Sequence, residues 1–159
     1  MVDKKNVFIS HVHEDDALLP ELKQLIEHAG MEVRDSSITS DKPNDAENEQ
    51  YIKYQILAPR IEWASTVVVL ITHDTGQAPY VNWEIQYANQ LGKRVIGVFA
   101  RGAADADIPE ELERCGDAAI VGWQGDRVVD AINGNIVVWD DPQTGEARNP
   151  TWAPRRFSC

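Results

Sequence analysis

Residues 66–71 read TVVVLI, an uninterrupted run of β-branched and aliphatic side chains. Such a run predicts a strand buried on both faces, which is typical of a parallel sheet that is covered by helices. A second run of this kind, RVIGVF at residues 94–99, follows a helical pattern that begins at Pro79 and stops at Gly92. The centre of the chain therefore predicts a strand–helix–strand unit.

Outside this unit, short apolar runs continue to alternate with helical patterns in both directions. The further predicted strands are 6–10, 31–35 and 118–121, and the further predicted helices are 17–29, 47–63, 109–114 and 126–132. This alternation predicts an α/β fold, a flavodoxin-like three-layer sandwich with about five parallel strands in the order 2-1-3-4-5. In that order, the loops after Ser10, Asp35 and Ile71 meet where ligands bind.

The charge is distributed unevenly along the 159 residues. Asp and Glu number 26 against 15 Lys and Arg, which gives a formal net charge of −11. Residues 134–159 hold three acidic and three basic side chains, so the whole net charge lies in residues 1–133. We expect a main domain of residues 1–133 and a C-terminal extension of residues 134–159 whose turn signals predict a β-hairpin. The acidic balance argues against nucleic acid or an anionic membrane as a partner.

Missing motifs exclude several chemistries that are common on this fold. Neither a GxGxxG fingerprint nor a GxxxxGK[ST] loop follows a predicted strand, which argues against Rossmann-type dinucleotide binding and P-loop hydrolysis. The four histidines and two cysteines lack metal-ligand spacing, so no metal site is predicted. With no disulfide framework, no apolar leader and no stretch long enough to span a membrane, a cytoplasmic protein is expected.

Glu84 is the strongest catalytic candidate on residue pattern. It lies near the start of the helix after TVVVLI, and Tyr80 and Tyr87 share its helical face. We expect the helix dipole to favour the ionised carboxylate, which between aromatic rings suits a reaction that develops positive charge on a sugar. The alternative is a first-turn glutamate that only complements the dipole, and the residue pattern alone favours that alternative.

Four segments together carry a family resemblance. They are VFISH at 7–11 with EDD at 14–16, the strand at 67–71, YVNWE at 80–84, and the helix exit and strand at 91–98. In this order they resemble the TIR domain superfamily, specifically small bacterial TIR-like domains of the Thoeris ThsB kind, over about residues 5–133. YVNWE is similar to the W-V-x-x-E pattern, with Tyr80 in the aromatic place and Glu84 in the glutamate place. Tyr80 in place of tryptophan, and Trp83 directly before the glutamate, depart from that pattern.

The resemblance implies that Glu84 is the catalytic residue of NAD⁺ cleavage. The substrate-binding residues expected with it are Phe8, Ser10, His11, Asp45, Tyr80 and Trp83. NAD⁺ is then the substrate and no cofactor is expected. Its pyrophosphate needs local donors, for which backbone N–H groups at helix starts, His11, His13 and Arg101 are candidates.

The function implied is that of a TIR-type NAD⁺ glycohydrolase or ADP-ribose cyclase, which makes a cyclic or conjugated ADP-ribose messenger in Thoeris-type antiphage defence. The expected partners are NAD⁺, other TIR domains through self-association, and a separate effector reached by the messenger. Two alternatives stay open: a non-catalytic TIR assembly module, with Glu84 as a surface acid, and a nucleoside deoxyribosyltransferase-like enzyme. Product formation by the assembled protein argues against the module, and base exchange between nucleosides identifies the transferase.

Overall fold

The structure of the chain, a computed structural model, describes residues 3–12, 17–35, 57–73, 75, 79–114, 119–135, 139–140 and 147–148. The strands are β1 (Asp3–Ser10), β2 (Met31–Asp35), β3 (Thr66–Ile71), β4 (Arg94–Phe99), β5 (Ala119–Val121), β6 (Trp139–Asp140) and β7 (Ala147–Arg148). The helices are α1 (Leu18–His28), α2 (Ala58–Trp63), α3 (Pro79–Gln90), α4 (Glu110–Arg114) and α5 (Gly125–Ile132). A short 3₁₀ turn, Asp105–Asp107, precedes α4.

The strands form one sheet in the order β2-β1-β3-β4-β5-β6-β7. Neighbours from β2 to β6 pair in parallel, and β7 pairs antiparallel with β6. This topology confirms the predicted flavodoxin-like α/β fold and its hairpin-like extension. The extension was expected to form only a hairpin, but its first strand also joins the main sheet. Trp139 pairs in parallel with Ile120 of β5, which makes β6 a sixth parallel strand.

Helices cover the sheet on both faces, and alternation along the strands explains how. In β3, Val67, Val69 and Ile71 face α2, α3 and α4. Val68 and Leu70 face α1 and α5. All six residues of β3 are buried, which is why its run of apolar residues has no polar alternation.

The same alternation fixes the direction of the side chains in β1. Phe8 belongs to the core on the α3 side of the sheet, whereas Val7 and Ile9 belong to the core on the α1 side. Ser10 lies two residues beyond Phe8 and therefore shares its face. The last residue of β1 is in this way directed towards α3.

Two glycines allow elements to approach closely. A Cβ atom at Gly97 of β4 would lie 2.9 Å from Leu112 Cδ2 of α4 and 2.9 Å from Ile71 Cδ1 of β3. A Cβ atom at Gly125, the first residue of α5, would lie 2.5 Å from the carbonyl oxygen of Leu25 in α1. All three distances are shorter than van der Waals contact. At Gly125 the close atom belongs to the backbone, so this position requires glycine, whereas at Gly97 a side chain would force Ile71 and Leu112 to move.

Strand β6 is anchored by two completely buried side chains. Trp139 is 0% exposed and packs in the core on the α3 side of the sheet. The carboxylate of Asp140, also 0% exposed, accepts hydrogen bonds from Arg127 Nε of α5 at 3.1 Å and from the backbone N–H of Gly122 at 3.2 Å. None of the helices in the described segments is long and apolar enough to cross a membrane.

Candidate functional site

The candidate site lies where β1 ends and α3 packs across it. Helix α3 begins at Pro79, whose missing N–H is tolerated in a first turn. Val81, Ile85 and Ala88 of this helix are buried against the sheet, as the sequence predicted. Their spacing turns Glu84 inward together with Ile85, towards the end of β1.

Glu84 is joined to Ser10 by a short hydrogen bond across 74 positions of sequence. The Ser10 Oγ hydroxyl donates to Glu84 Oε1 at 2.6 Å. Ser10 is 0% exposed and Glu84 only 5%, so the bond lies in a dry environment. Buried carboxyl groups need such a partner, because an unpaired one costs several kcal/mol (roughly 2–7 for a neutral polar group).

The protonation state of Glu84 differs from the sequence-based expectation. Burial raises the pKa of Glu84 from 4.5 to about 8, and the hydrogen bond from Ser10 opposes that rise. The expectation that the helix dipole favours the ionised form was therefore wrong for the free protein. Glu84 is the sixth residue of α3, beyond the first turn where the dipole acts, and desolvation outweighs the remaining influence.

The aromatic residue Tyr87 of α3 contacts its neighbour Trp83 and α2. Trp83 and Tyr87 stack with centroids 5.1 Å apart and planes 9° from parallel. The Tyr87 hydroxyl donates to Glu62 Oε2 of α2 at 2.6 Å. Phe8 is 1% exposed and belongs to the core, while Tyr80 is half-buried against the same core. Tyr87 is thus engaged with Trp83 and α2.

The structure brings together most of the predicted substrate-binding residues. Phe8, Ser10 and His11 stand at the end of β1, and Tyr80, Trp83 and Glu84 lie on α3. His11 is half-buried, with its Nδ1 3.0 Å from the Ile9 carbonyl oxygen. Their role in binding substrate stays a prediction.

Three candidates remain. Asp45 and His13 both lie outside the described residues. Arg101 is exposed in the turn after β4. In the ranges that the structure describes, no three His, Cys, Asp or Glu side chains are placed to hold a metal ion.

Thr75 is a residue of this region that the sequence analysis did not single out. It is 0% exposed, and its hydroxyl donates to the Leu70 carbonyl oxygen at 3.0 Å while accepting from the Thr72 N–H at 2.8 Å. The two threonine hydroxyls are also 3.0 Å apart. These hydrogen bonds fix Thr72 and Thr75 against the end of β3. The Thr-x-x-Thr spacing after a strand was the available signal, since such hydroxyls often bond nearby backbone groups.

Comparison with protein families identifies the family of the chain. The family described as Thoeris protein ThsB, TIR-like domain, matches residues 8–105, well over half of the 159 residues. The chain belongs to the ThsB TIR-like domain family. Within this ThsB-type domain, the matched range includes the last three residues of β1, all of α3, and both partners of the Ser10–Glu84 hydrogen bond.

Two solved structures are similar to this ThsB-type domain at low sequence identity. The CMP N-glycosidase BcmB of Clostridium botulinum is 15% identical with a TM-score of 0.47, over 77% of this chain and 92% of that one. A conserved protein from Enterococcus faecalis V583 is 16% identical with a TM-score of 0.41, over 64% of this chain and 66% of that one. No curated protein matches the sequence significantly.

Proposed function

We propose that this ThsB-type domain cleaves the nicotinamide–ribose bond of NAD⁺ and releases a cyclic or conjugated ADP-ribose messenger in Thoeris-type antiphage defence. Glu84 is the catalytic residue of the proposal. The observation that supports it most is a buried carboxyl group, 5% exposed, at the carboxyl end of β1 in a chain of this family. A carboxyl group at that depth costs stability, which proteins tolerate mainly at functional sites.

The proposed reaction separates charge at the ribose. The bond between ribose C1′ and the nicotinamide nitrogen breaks, and its electron pair neutralises the pyridinium ring, which leaves as nicotinamide. The ribose becomes an oxocarbenium-like cation, which the Glu84 carboxylate stabilises. Attack by water with loss of a proton gives ADP-ribose, attack within the same molecule gives a cyclic product, and attack by another nucleophile gives a conjugate.

Burial gives Glu84 a strong effect once it is ionised. Electrostatic attraction between a carboxylate and a cation is several times stronger in a desolvated site than in water. The positive nicotinamide ring of bound NAD⁺ favours the ionised form of a nearby carboxyl group. We therefore propose that substrate binding lowers the pKa of Glu84 from its value of about 8 in the free protein.

A second candidate function follows from the same carboxyl group in its neutral form. With a pKa of about 8, Glu84 is mostly protonated at neutral pH and can donate a proton. Nicotinamide needs no proton to leave, whereas the base of a neutral nucleoside or nucleotide leaves more easily when protonated. A nucleoside glycosidase or deoxyribosyltransferase-like activity is therefore the second candidate.

The pH dependence of product release separates these two functions. Purified protein is incubated with NAD⁺ or with nucleosides and CMP, and released nicotinamide or base is measured by chromatography, with mass spectrometry of the sugar product. NAD⁺ cleavage by ionised Glu84 rises with pH and levels off above about 8, whereas base release by protonated Glu84 is constant at lower pH and falls as the pH passes through about 8. Glu84→Gln is expected to lose either activity, and Glu27→Gln, at an exposed position of α1, is the matched control.

Full activity of Glu84→Gln would show that Glu84 is not the catalytic residue. Self-association and the separate effector belong to the same proposal. Protein concentrated enough to oligomerise by light scattering, and extract from phage-infected cells, are therefore tested alongside dilute protein. If none of these preparations forms a product from any of the substrates, the assembly-module alternative replaces the enzymatic one.

A further inference from the structure

A substrate-binding role does not by itself explain the burial and the hydrogen bond of the Ser10 hydroxyl. It ends a buried strand whose backbone is fixed by pairing with β3, where Ser10 lies opposite Val69. It is 0% exposed, and its proton is directed at Glu84 Oε1 over 2.6 Å. In a dry environment a bond of this length restrains both groups.

We propose that Ser10 is a positioning residue for Glu84, which holds one carboxyl oxygen in place and sets the pH range in which the carboxyl group ionises. Oε1 is occupied by Ser10, and no bond to Oε2 is present among the residues that the structure describes. In this proposal, Oε2 is the oxygen that a ribose hydroxyl would reach. The kinetic part of this inference rests on the proposed function, and its structural part does not.

Among the described residues, no ionisable group other than Ser10's partner Glu84 itself takes part in the hydrogen bond that influences the pKa of this carboxyl group. Helix α3 packs against β1, β3, β4, α2 and α4. The ionisable side chains described on those elements, with the residue that follows β1, are Lys5, His11, Arg60, Glu62, Arg94, Glu110, Glu111 and Arg114. In the described ranges none of these forms a hydrogen bond or ion pair with Glu84. Burial and the Ser10 hydroxyl are the two influences on its pKa, and they act in opposite directions.

Removing the Ser10 hydroxyl should therefore remove the influence that lowers the pKa of Glu84 and leave the effect of burial, which raises it. In Ser10→Ala, the pKa of Glu84 rises further above about 8, because the ionised form loses its hydrogen bond. A hydrogen bond to a charged group corresponds to a shift of about one pH unit or more, which is about tenfold in the ionised fraction at neutral pH. A residue with only a packing role would not move this titration.

The test follows Glu84 titration in two independent ways on the full chain. In the first, the free energy of unfolding is compared between the protein with Glu84 and its Glu84→Gln variant from about pH 5 to 10. The same comparison is then made in the Ser10→Ala background. In the second, kcat/KM for nicotinamide release is measured over the same range. Ser65→Ala is the matched control. Ser65 Oγ also donates to an oxygen, the Asn6 carbonyl at 3.1 Å, but Ser65 is exposed and its partner lies four residues before Ser10 on β1.

The expected result is that Ser10→Ala moves both curves to higher pH by about one unit and lowers kcat/KM at neutral pH about tenfold. The activity should recover towards the wild-type value as the pH rises. Unchanged titration of Glu84 in folded Ser10→Ala overturns the proposal. If nicotinamide release is undetectable even for the wild type, the stability curves still decide the role of Ser10, so the two proposals fail separately.

A second pair of variants covers the case in which Ser10→Ala does not fold. Ser10→Thr and Ser10→Val have nearly the same shape and differ in the hydroxyl group. In Ser10→Thr, Glu84 should titrate at the same pH as in the wild type. In Ser10→Val, Glu84 should titrate at a higher pH. Coincident titration curves for Thr and Val overturn the proposal.

Discussion

Replacing Glu84 with glutamine is expected to stabilise the folded protein, by an amount that grows as the pH rises. Glutamine has the shape of the protonated glutamate and can still accept the hydrogen bond from Ser10 Oγ. It cannot ionise, so it avoids the cost of a charged carboxyl group that is 5% exposed. A substitution that removes activity and raises stability would connect the burial of this residue to its chemistry.

The magnitude follows from the difference between the folded and unfolded pKa values. The folded pKa of about 8 lies above the ordinary value of 4.5 for a glutamate, so the folded state binds the proton more tightly. The contribution to stability is then complete below about pH 4.5 and is lost as the pH rises through about 8. At about 1.4 kcal/mol for each pH unit, the loss between pH 5 and 9 amounts to about 4 kcal/mol.

Urea unfolding of wild type and Glu84→Gln at pH 5, 7 and 9 measures this difference directly. Other titrating groups are shared by the two proteins and cancel in the comparison. Glu27→Gln, at an exposed position of α1, is the matched control. A Glu84→Gln difference that stays constant across this range would refute the assignment of Glu84 as a buried carboxyl group with a raised pKa.

Three further substitutions test the packing that supports the site. Trp139→Ala should lower the free energy of unfolding, measured in urea, by about 3–5 kcal/mol, because the side chain is 0% exposed. A loss below about 1 kcal/mol would show that Trp139 is not part of the core. Gly125→Ala should cost about 1–3 kcal/mol and lower the melting temperature, since the new Cβ meets the Leu25 carbonyl oxygen at 2.5 Å; an unchanged melting temperature contradicts the close approach of α1 and α5. Thr75→Val should cost about 1–3 kcal/mol and speed hydrogen exchange at the Thr72 amide, which loses its acceptor; unchanged exchange there argues against the turn.

The sequence predicted the central strands well because their signal is local. The boundaries of β3 and β4 agree with the predicted runs at 66–71 and 94–99. A strand buried on both faces needs no partner information to be recognised, since every position is apolar. Strand order followed from the alternation of elements, which leaves few topologies for a chain of this length.

Long-range relations were not available from sequence patterns in the same way. Strand β6 has two residues, Trp139 and Asp140, and its parallel place beside β5 depends on a hydrogen-bonded pair formed with Ile120. The carboxylate of Asp140 bonds to Arg127, on a helix that precedes it in the chain. Neither partner has a sequence signal, because such pairing is decided by tertiary packing.

The protonation state of Glu84 is also decided by tertiary packing and not by local sequence. Its identity as the candidate residue came from helix position and family resemblance, both of which are readable from sequence. Its pKa depends on how completely α3 and the end of β1 exclude water. Depth of burial is a property of the packed molecule, which is why reasoning from the helix dipole gave the wrong direction.

This burial also bears on the alternative of a non-catalytic assembly module. That alternative treats Glu84 as a surface acid that complements a helix dipole, yet the side chain is 5% exposed and lies beyond the first turn of α3. A domain that only assembles gains nothing from a carboxyl group in this place, because glutamine would fill it at lower cost. If Glu84→Gln gains stability and loses nicotinamide release while oligomerising normally by light scattering, the residue serves catalysis. If the variant instead loses oligomers, its burial serves assembly and the enzymatic proposal loses its main support.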